Sequence, residues 1–413
     1  MSKSQIEKVV IVGAGQGGLQ AAVSLRQEGY QGDITLIGDE AGLPYQRPPL
    51  SKAYLSGKLG RDGLSLRPAK FFTDQNINLV HGQATAIDRR NRRVELAADQ
   101  AYNYDHLILA TGAHNRNLPV PGAELKGVFG LRTVEDADAL AGKLANASDV
   151  VVVGAGFIGL EFAAVANAQG LSVHVVDIAD RPMARAVTPQ MAAFFREQHE
   201  KRGIRFDFQQ GLKRIIGDAG RCTSVETTDG RVLPADLVVF GIGVLPNTQL
   251  AAEAGLDIQN GIRTDSYLLT SDPAVSAIGD GCSFPSQHAG GQIRLESVQN
   301  AVDQARNVAA RLVGKPAPYA TTPWFWTDQS DLKLQIVGLL NDFDTTVTVG
   351  SPEDCQFSVL CFRKDQLIAV ESVNRMADHM AARRILARQS SLSPREASQP
   401  DFSLKSWEAA GTN

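Results

Sequence analysis

Two glycine triplets carry the most explicit chemistry in this sequence. Gly154, Gly156 and Gly159 stand in VVVVGAGFIGLEF, directly after an apolar β-branched run, and Asp177 closes the second apolar run that follows. A strand ending in this spacing turns tightly at Gly154 and brings bare backbone at Gly156 up to a pyrophosphate. Gly159 then lets the next helix lie close to the strand. The phosphates meet the N-terminus of a helix opened by Phe157 and Ile158, where free N–H groups and the helix dipole favour an anion. Asp177 is placed to accept hydrogen bonds from an adenosine ribose. Gly13, Gly15 and Gly18, with Ala14 between the first two, repeat the pattern: VVIVGAGQGGL at Val9–Leu19 matches VVVVGAGFIGL at Val150–Leu160 at all but three positions. Two dinucleotide-binding units therefore share one chain.

The elements that must position these groups follow from periodicity. In the first unit the helical stretch AAVSLRQEG leads to a strand at Ile34–Ile37. The connecting loop is two residues longer than its counterpart, which puts Gly38 where the second unit has its acid. Asp39 is then the expected ribose ligand and Glu40 the alternative. Asp105–Gly112 (DHLILATG) reappears as Asp236–Gly243 (DLVVFGIG), and a shorter version, VSAIGD, ends at Asp280. Their ends, Thr111-Gly112, Gly243 and Gly279-Asp280, suit close backbone approach to a cofactor at the carboxyl edge of a parallel sheet. PYQRPPLSK at Pro44–Lys52 has two adjacent prolines flanked by Arg47 and Lys52. It reads either as the neighbour of something anionic or electron-rich, or as a proline-stiffened surface loop with solvated charges. Val298, Ala301, Val302, Ala305, Val308, Ala309 and Leu312 recur at helical spacing, which predicts an amphipathic helix. After WFWTDQ at Trp324–Gln329 the pattern turns to strands, LKLQIVGL, TTVTVG, QFSVLCF and QLIAVESV, and then to a helix from Arg375 to Arg388.

Composition excludes several classes. The 413 residues exceed one ordinary core and imply two or three domains. Hydrophobic content of 43% and charged content of 21% fit a globular protein in water. A net charge of −4 and a pI near 6.0 argue against a nucleic-acid partner. No apolar run reaches the roughly 18–20 residues of a membrane span, and MSKSQIEK runs straight into Val9–Val12 with no signal-peptide pattern. A cytoplasmic protein with no membrane insertion is expected. Cys222, Cys282, Cys355 and Cys361 show neither CxxC nor zinc-ligand spacing, so free thiols and no metal site are expected.

GAGQGG, PYQRPPLSK, LILATG, VVGAGFIGLE, GIGVLPN, AIGD, ESVQNA and WFWTDQ, spread from residue 13 to residue 329, together resemble the pyridine nucleotide-disulfide oxidoreductase superfold. Within it, PYQRPPLSK and WFWTDQ resemble the FAD-dependent ferredoxin reductases of bacterial cytochrome P450 and Rieske oxygenase systems. The resemblance implies an α/β fold with two Rossmann-like dinucleotide-binding domains, as in glutathione reductase, and a C-terminal α+β interface domain. Residues 1–114 and 245–322 would form the two parts of the FAD-binding domain, 115–244 the NAD-binding domain and 323–413 the interface domain. FAD is implied in the first unit. Its contacts, besides the first fingerprint and Asp39, would be Arg47, Lys52, Ala84, Thr111, Gly112, Arg132, Gly279, Asp280, the helix N-terminus at Val298, and Trp326, with Trp324 and Phe325 as core. Lys52 and Glu161 are implied as a pair beside the flavin N5, Lys52 stabilising electron density on the reduced ring and Glu161 compensating its charge.

A pyridine nucleotide is implied in the second unit, with Arg185 and Gly243 among its contacts. A 2′-phosphate would set about two negative charges beside Asp177; at ~4 Å and an effective dielectric of ~20 each unit pair costs about 4 kcal/mol before screening. NADH is therefore expected over NADPH, although Arg181 and Arg185 stand close enough in sequence to soften the penalty. Relatives that reduce disulfides or peroxides carry cysteine soon after the first fingerprint, whereas this chain has none before Cys222. Electrons are then expected to leave the flavin directly, with Cys282 a small buried residue. The implied activity is transfer from NADH through FAD to an acidic [2Fe-2S] ferredoxin that serves an oxygenase. Arg383, Arg384 and Arg388 on one helix, with Lys52, Lys58, Arg67 and Lys70, are the cations available for docking. A small-acceptor reductase, acting on monodehydroascorbate or a quinone, and a redox-regulated binding flavoprotein are the alternatives. A monomer or weak dimer is expected.

Overall fold

The computed structural model describes residues 6–97, 99–388 and 392–411. They form two compact units, one of Met1–Gln46, Leu64–His114 and Leu245–Pro323, the other of Arg47–Gly63, Asn115–Val244 and Trp324–Asn413.

Each unit is built on a parallel five-stranded sheet with its fingerprint strand at the centre. In the first, the order is Val275–Ala277, His106–Leu109, Lys8–Val12, Asp33–Gly38 and Ile77–His81. In the second it is Arg205–Phe208, Ser172–Asp177, Asp149–Val153, Leu237–Phe240 and Val128–Gly130. Val9–Val12 and Val150–Val153 are buried along their whole length, as strands covered on both faces must be. The strand order reverses beside the central strand, and open α/β sheets take ligands at the carboxyl ends flanking such a point.

The repeated acids serve the opposite edge. Asp105 Oδ2 accepts the N–H groups of Glu7 and Lys8 at 2.9 and 2.8 Å, and Asp236 Oδ2 those of Ser148 and Asp149 at 2.7 and 3.1 Å. Each acid staples the start of a fingerprint strand to its neighbour. The repetition of DHLILATG as DLVVFGIG is thus partly structural.

The C-terminal sheet is antiparallel, in the order Trp324–Gln329, Leu332–Gly338, Gln366–Val373, Gln356–Arg363 and Thr345–Ser351. The pleat sends Phe325, Thr327 and Gln329 to one face and Trp324, Trp326 and Asp328 to the other. On the first face Phe325 packs on a core that contains Phe162 of the second fingerprint helix (Phe157–Ala168), Phe195 of the helix Pro189–Lys201, and Phe357. Those three rings are fully buried, each contributing roughly 1.5–3 kcal/mol over exposure. On the other face Trp324 packs with Ile385 and Leu386 of the helix Met376–Arg388. Two short helices, Pro394–Ala397 and Leu404–Ala410, follow, capped by Ser393 and Ser403. Among the described residues no helix is long and apolar enough to cross a membrane.

Candidate functional site

The two fingerprints share one geometry. Gly13 and Gly154 have φ of +108° and +103°, a conformation L side chains rarely adopt. A Cβ on Gly18 would stand 1.8 Å from the Gly13 carbonyl oxygen, and one on Gly159 2.1 Å from that of Gly154. The third glycine therefore protects the turn's own carbonyl, with the strand side chain behind it a second and looser contact. At the middle glycines protein packing asks for nothing: a Cβ on Gly15 meets no atom within 4 Å, and one on Gly156 only the Gly241 oxygen at 4.0 Å. The helices they open, Gln16–Gln27 and Phe157–Ala168, carry no side-chain cap. A bare approach and an uncapped helix N-terminus suit the pyrophosphate of a dinucleotide in both units. Phe157 and the exposed Ile158 occupy the first helical positions of the second. The first unit has Gly17 at the position of Ile158, and a Cβ there would stand 3.5 Å from that of Ala301; the neighbouring helix Val298–Leu312 presses closely at this point.

The acids differ for a steric reason. Asp177 Oδ2 accepts the Ala155 N–H at 2.6 Å and Oδ1 the Ala179 N–H at 2.7 Å. The carboxylate is thereby aimed along the fingerprint loop, and each oxygen retains a lone pair for a ribose hydroxyl. Met183, at φ +52°, donates its N–H to the Ala155 carbonyl at 2.9 Å, so both backbone groups of Ala155 are held. In the first unit a Cβ on Gly38 would lie 2.6 Å from the Ala14 Cβ, which leaves no room for an acid there. The longer loop carries the acids past it. Asp39 is exposed, and Glu40, half-buried, accepts the Tyr45 hydroxyl.

At the carboxyl edge of the first sheet, Thr111-Gly112 is clasped by Asn247. The Asn247 Nδ2 donates to the Thr111 carbonyl and the Thr111 hydroxyl to the Asn247 carbonyl, both at 2.8 Å, while Asn247 N–H reaches the Gly112 oxygen at 2.9 Å. Gly279 donates its N–H to Gln304 Oε1 at 2.7 Å, and a Cβ on Gly281 would lie 3.0 Å from the Gly112 oxygen. Thr111, Gly112, Gly279 and Asp280 thus share one edge with the first fingerprint. The helix Val298–Leu312 buries Gln299, Asn300 and Gln304 alongside Ala301, Ala305, Val308 and Ala309; Val298, Val302 and Leu312 are only half-buried. Its face is more polar than periodicity predicts, because Gln304 holds the Gly279 turn and Asn300 accepts the Tyr319 hydroxyl at 3.1 Å. Ser297 caps it by accepting the Asn300 N–H at 3.0 Å, so one of its leading donors is already engaged. Ala84 begins the strand Ala84–Asp88 of a separate antiparallel sheet.

Arg47, Lys52, Arg132 and Trp326 belong to the second compact unit. There Lys52 Nζ lies 2.9 Å from Glu161 Oε1 and 4.0 Å from Asp328 Oδ2. Glu161, 5% exposed, also accepts the hydroxyls of Ser51 at 2.5 Å on Oε2 and of Thr327 at 2.6 Å on Oε1. Burial pushes its carboxyl up from the ordinary glutamate value, against the pull of Lys52 and the two hydroxyls. Ser51 ends the short helix Pro48–Ser51, so the paired prolines set the direction in which Ser51 and Lys52 project. Arg47 Nη1 donates to the Arg132 carbonyl at 2.8 Å. Arg185 Nη2 comes within 3.8 Å of where a Cβ on Gly243 would stand. The Trp326 and Trp324 rings lie 5.4 Å apart, and Arg383 stands 4.8 Å over Trp324. Ser51, Asn247 and Thr327 lie inside PYQRPPLSK, GIGVLPN and WFWTDQ but are not singled out there, and Gln304 has no motif around it. For Ser51 and Thr327 adjacency to Lys52 and Trp326 was the available signal.

All four cysteines are free thiols. Cys282 is fully buried, and burial pushes its thiol up to about 12, that of Cys222 to about 11; neither has a thiolate's reactivity.

Two dinucleotide cradles on one chain define a two-cofactor oxidoreductase. Residues 7–305 match the pyridine nucleotide-disulphide oxidoreductases and residues 324–407 the reductase C-terminal domain, and the chain belongs to that family. FAD and NAD(P)H are its cofactors. The chain is 52% identical over 398 residues to rhodocoxin reductase of Rhodococcus erythropolis, across 96% of this chain and 93% of that one. It is similar to the crystal structure of the ferredoxin reductase for the CYP199A2 system from Rhodopseudomonas palustris, with a TM-score of 0.96, 50% identity and coverage of 97% and 100%. The covalent putidaredoxin reductase–putidaredoxin complex gives a TM-score of 0.95 at 38% identity, covering 98% of each chain.

Proposed function

We propose that this chain is an NADH-dependent reductase of an acidic [2Fe-2S] ferredoxin that serves a cytochrome P450 or another oxygenase. The observation that carries this reading is the pairing of half-buried Lys52 with buried Glu161 in a chain with no cysteine before Cys222: a charged group, without a thiol, is available to a redox centre. Likeness along nearly the whole chain to proteins named as ferredoxin, rhodocoxin and putidaredoxin reductases supports it. Residues 1–114 and 245–322 supply the FAD site, 115–244 the NADH site, and 323–413 the interface domain. When bound, FAD supplies the conversion between a two-electron donor and a one-electron acceptor. The fingerprint at Gly13, Gly15 and Gly18 holds its pyrophosphate, Asp39 its ribose, and Thr111, Gly112, Gly279 and Asp280 line its path. Lys52 balances the negative charge of the reduced ring, and Trp326 shields one side. Gly154, Gly156 and Gly159 hold the NADH pyrophosphate, and Asp177 accepts its ribose hydroxyls and repels a 2′-phosphate. Free thiols fit a reducing cytoplasm, and the protein works as a monomer or weak dimer.

Stopped-flow reduction of the holoenzyme tests this directly. NADH should give a kcat/KM at least about tenfold above NADPH, as a single unfavourable charge contact would produce. The reduced enzyme should pass electrons to a [2Fe-2S] ferredoxin faster than to a quinone or monodehydroascorbate. Preference for NADPH would refute the nucleotide assignment, and faster quinone turnover the acceptor.

A further inference from the structure

Behind Glu161 lies a buried polar chain that pairing with Lys52 does not require. Thr327 and Gln329 are 0% exposed and His199 1%. Thr327 Oγ1 is 2.6 Å from Glu161 Oε1, Gln329 Nε2 is 3.3 Å from Thr327 Oγ1, and His199 Nε2 is 2.7 Å from Gln329 Oε1. With Glu161 ionised, the direction of every bond follows. A carboxylate only accepts, so Thr327 donates to Glu161 and its oxygen receives the Gln329 amide N–H. The Gln329 oxygen then faces His199, so Nε2 of that imidazole carries the hydrogen. Burial holds the His199 pKa below its ordinary value. Three donors in series thus point toward one carboxylate, and their polarity favours its charged state.

We propose that Thr327, backed by Gln329 and His199, is a positioning residue through which the C-terminal domain keeps Glu161 ionised and thereby sets the charge of the Lys52–Glu161 pair. This rests on the reading of that pair as the group that acts on the flavin. Desolvation drives Glu161 toward its neutral form, opposed by Lys52, Ser51 and Thr327. Among the described residues the charged and titratable groups facing the assembly are Lys52 beside the helix Pro48–Ser51, Asp328 on the strand Trp324–Gln329, His199 on the helix Pro189–Lys201, and Arg202 at the end of that helix, whose charge acts on His199. Asp328, 40% exposed at its side chain, is the second anion near Lys52, at 4.0 Å. Loss of the Thr327 hydroxyl removes one of three donors from a carboxylate that water scarcely reaches. A hydrogen bond to a charged group of this kind corresponds to about a tenfold or greater change in the protonation constant.

The test is Thr327→Val in the FAD-loaded full chain. Infrared difference spectra against pH, with the Glu161 carboxyl band identified by its absence in Glu161→Gln, should show Glu161 taking up a proton about tenfold or more readily than in the wild type. The acid limb of flavin reduction by NADH should move to higher pH by the same factor, and the flavin midpoint potential should change. Thr327→Ser should restore both. Gln329→Met, which removes only the amide behind Thr327, should shift the titration in the same direction by a smaller factor. A purely structural hydroxyl would lower Tm without moving the titration, and a Glu161 titration unchanged in Thr327→Val and Gln329→Met overturns the inference. A titration that moves while flavin reduction and potential stay fixed supports the role of Thr327 and refutes the placement of the pair at the flavin.

Discussion

Lys52 and Glu161 show how much one side chain depends on its surroundings. Glu161 is held by three donors, of which Lys52 alone is charged. Lys52→Met should therefore leave a folded protein, with the Ser51 and Thr327 hydroxyls still satisfying a carboxyl that becomes neutral. On the proposed function, what it should lose is charge beside the flavin. Single-turnover flavin reduction by NADH is expected to slow by roughly 10- to 100-fold, about 1.4–2.7 kcal/mol of barrier, and reduction at the wild-type rate would remove Lys52 from the mechanism. The contact between Lys52 and Glu161 was legible through the motifs that carry the family resemblance. Thr327 also sits inside a motif, WFWTDQ, yet its contact with Glu161 was not legible, since a hydroxyl in a strand acquires its role only from the residue that the fold brings opposite.

Among the elements, the C-terminal strand Gln366–Val373 has a second device. Glu371, 0% exposed, accepts the Thr188 N–H at 2.9 Å and its hydroxyl at 2.6 Å, and Thr188 caps the helix Pro189–Lys201. Burial pushes the Glu371 carboxyl up to about 7, its two bonds to Thr188 opposing this. Cys361, on the adjacent strand, is itself pushed up by burial and by the charge of Glu371. Because the folded pKa lies above the unfolded one, the stabilisation is complete below the ordinary glutamate range and is lost as pH rises through about 7, where the fold must bury a charge. Glu371→Gln removes this dependence. Between pH 5 and pH 8.5 the variant should gain on the order of 3 kcal/mol relative to the wild type, read from urea unfolding at both pH values; identical pH dependence in the two proteins would exclude it. The sequence places Glu371 in QLIAVESV as the one charged residue of a mostly apolar strand, which says nothing of Thr188.

For the whole molecule, a net charge of −4 would repel the acidic ferredoxin proposed as partner, so on that proposal any steering is local. Arg384 and Arg388 both pair with Glu408, at 2.8 and 3.1 Å, which takes two of the three helix cations anticipated for docking into an intramolecular network. Glu408 lies in the tail after residue 389, where the sequence shows no readable pattern. Lys70 likewise pairs with Asp74. Arg383 keeps its place over Trp324. The KM for an acidic ferredoxin should still rise several-fold as ionic strength goes from about 0.05 to about 0.2 M; a flat KM would point to an apolar docking surface.

The sequence by itself determined the two cradles, because a strand, a turn at φ > 0 and an uncapped helix leave few residue choices and those choices are local. It also determined the strands of the C-terminal domain, through short apolar and β-branched runs such as QFSVLCF, which the fold buries on both faces. Only the tertiary structure decided that Arg47–Gly63 packs with the second unit, that Gly38 yields to Ala14, and that Thr327 and Ser51 converge on Glu161. Those outcomes depend on side chains more than a hundred residues apart, or on the space left by a neighbouring loop, and periodicity along a chain reports neither.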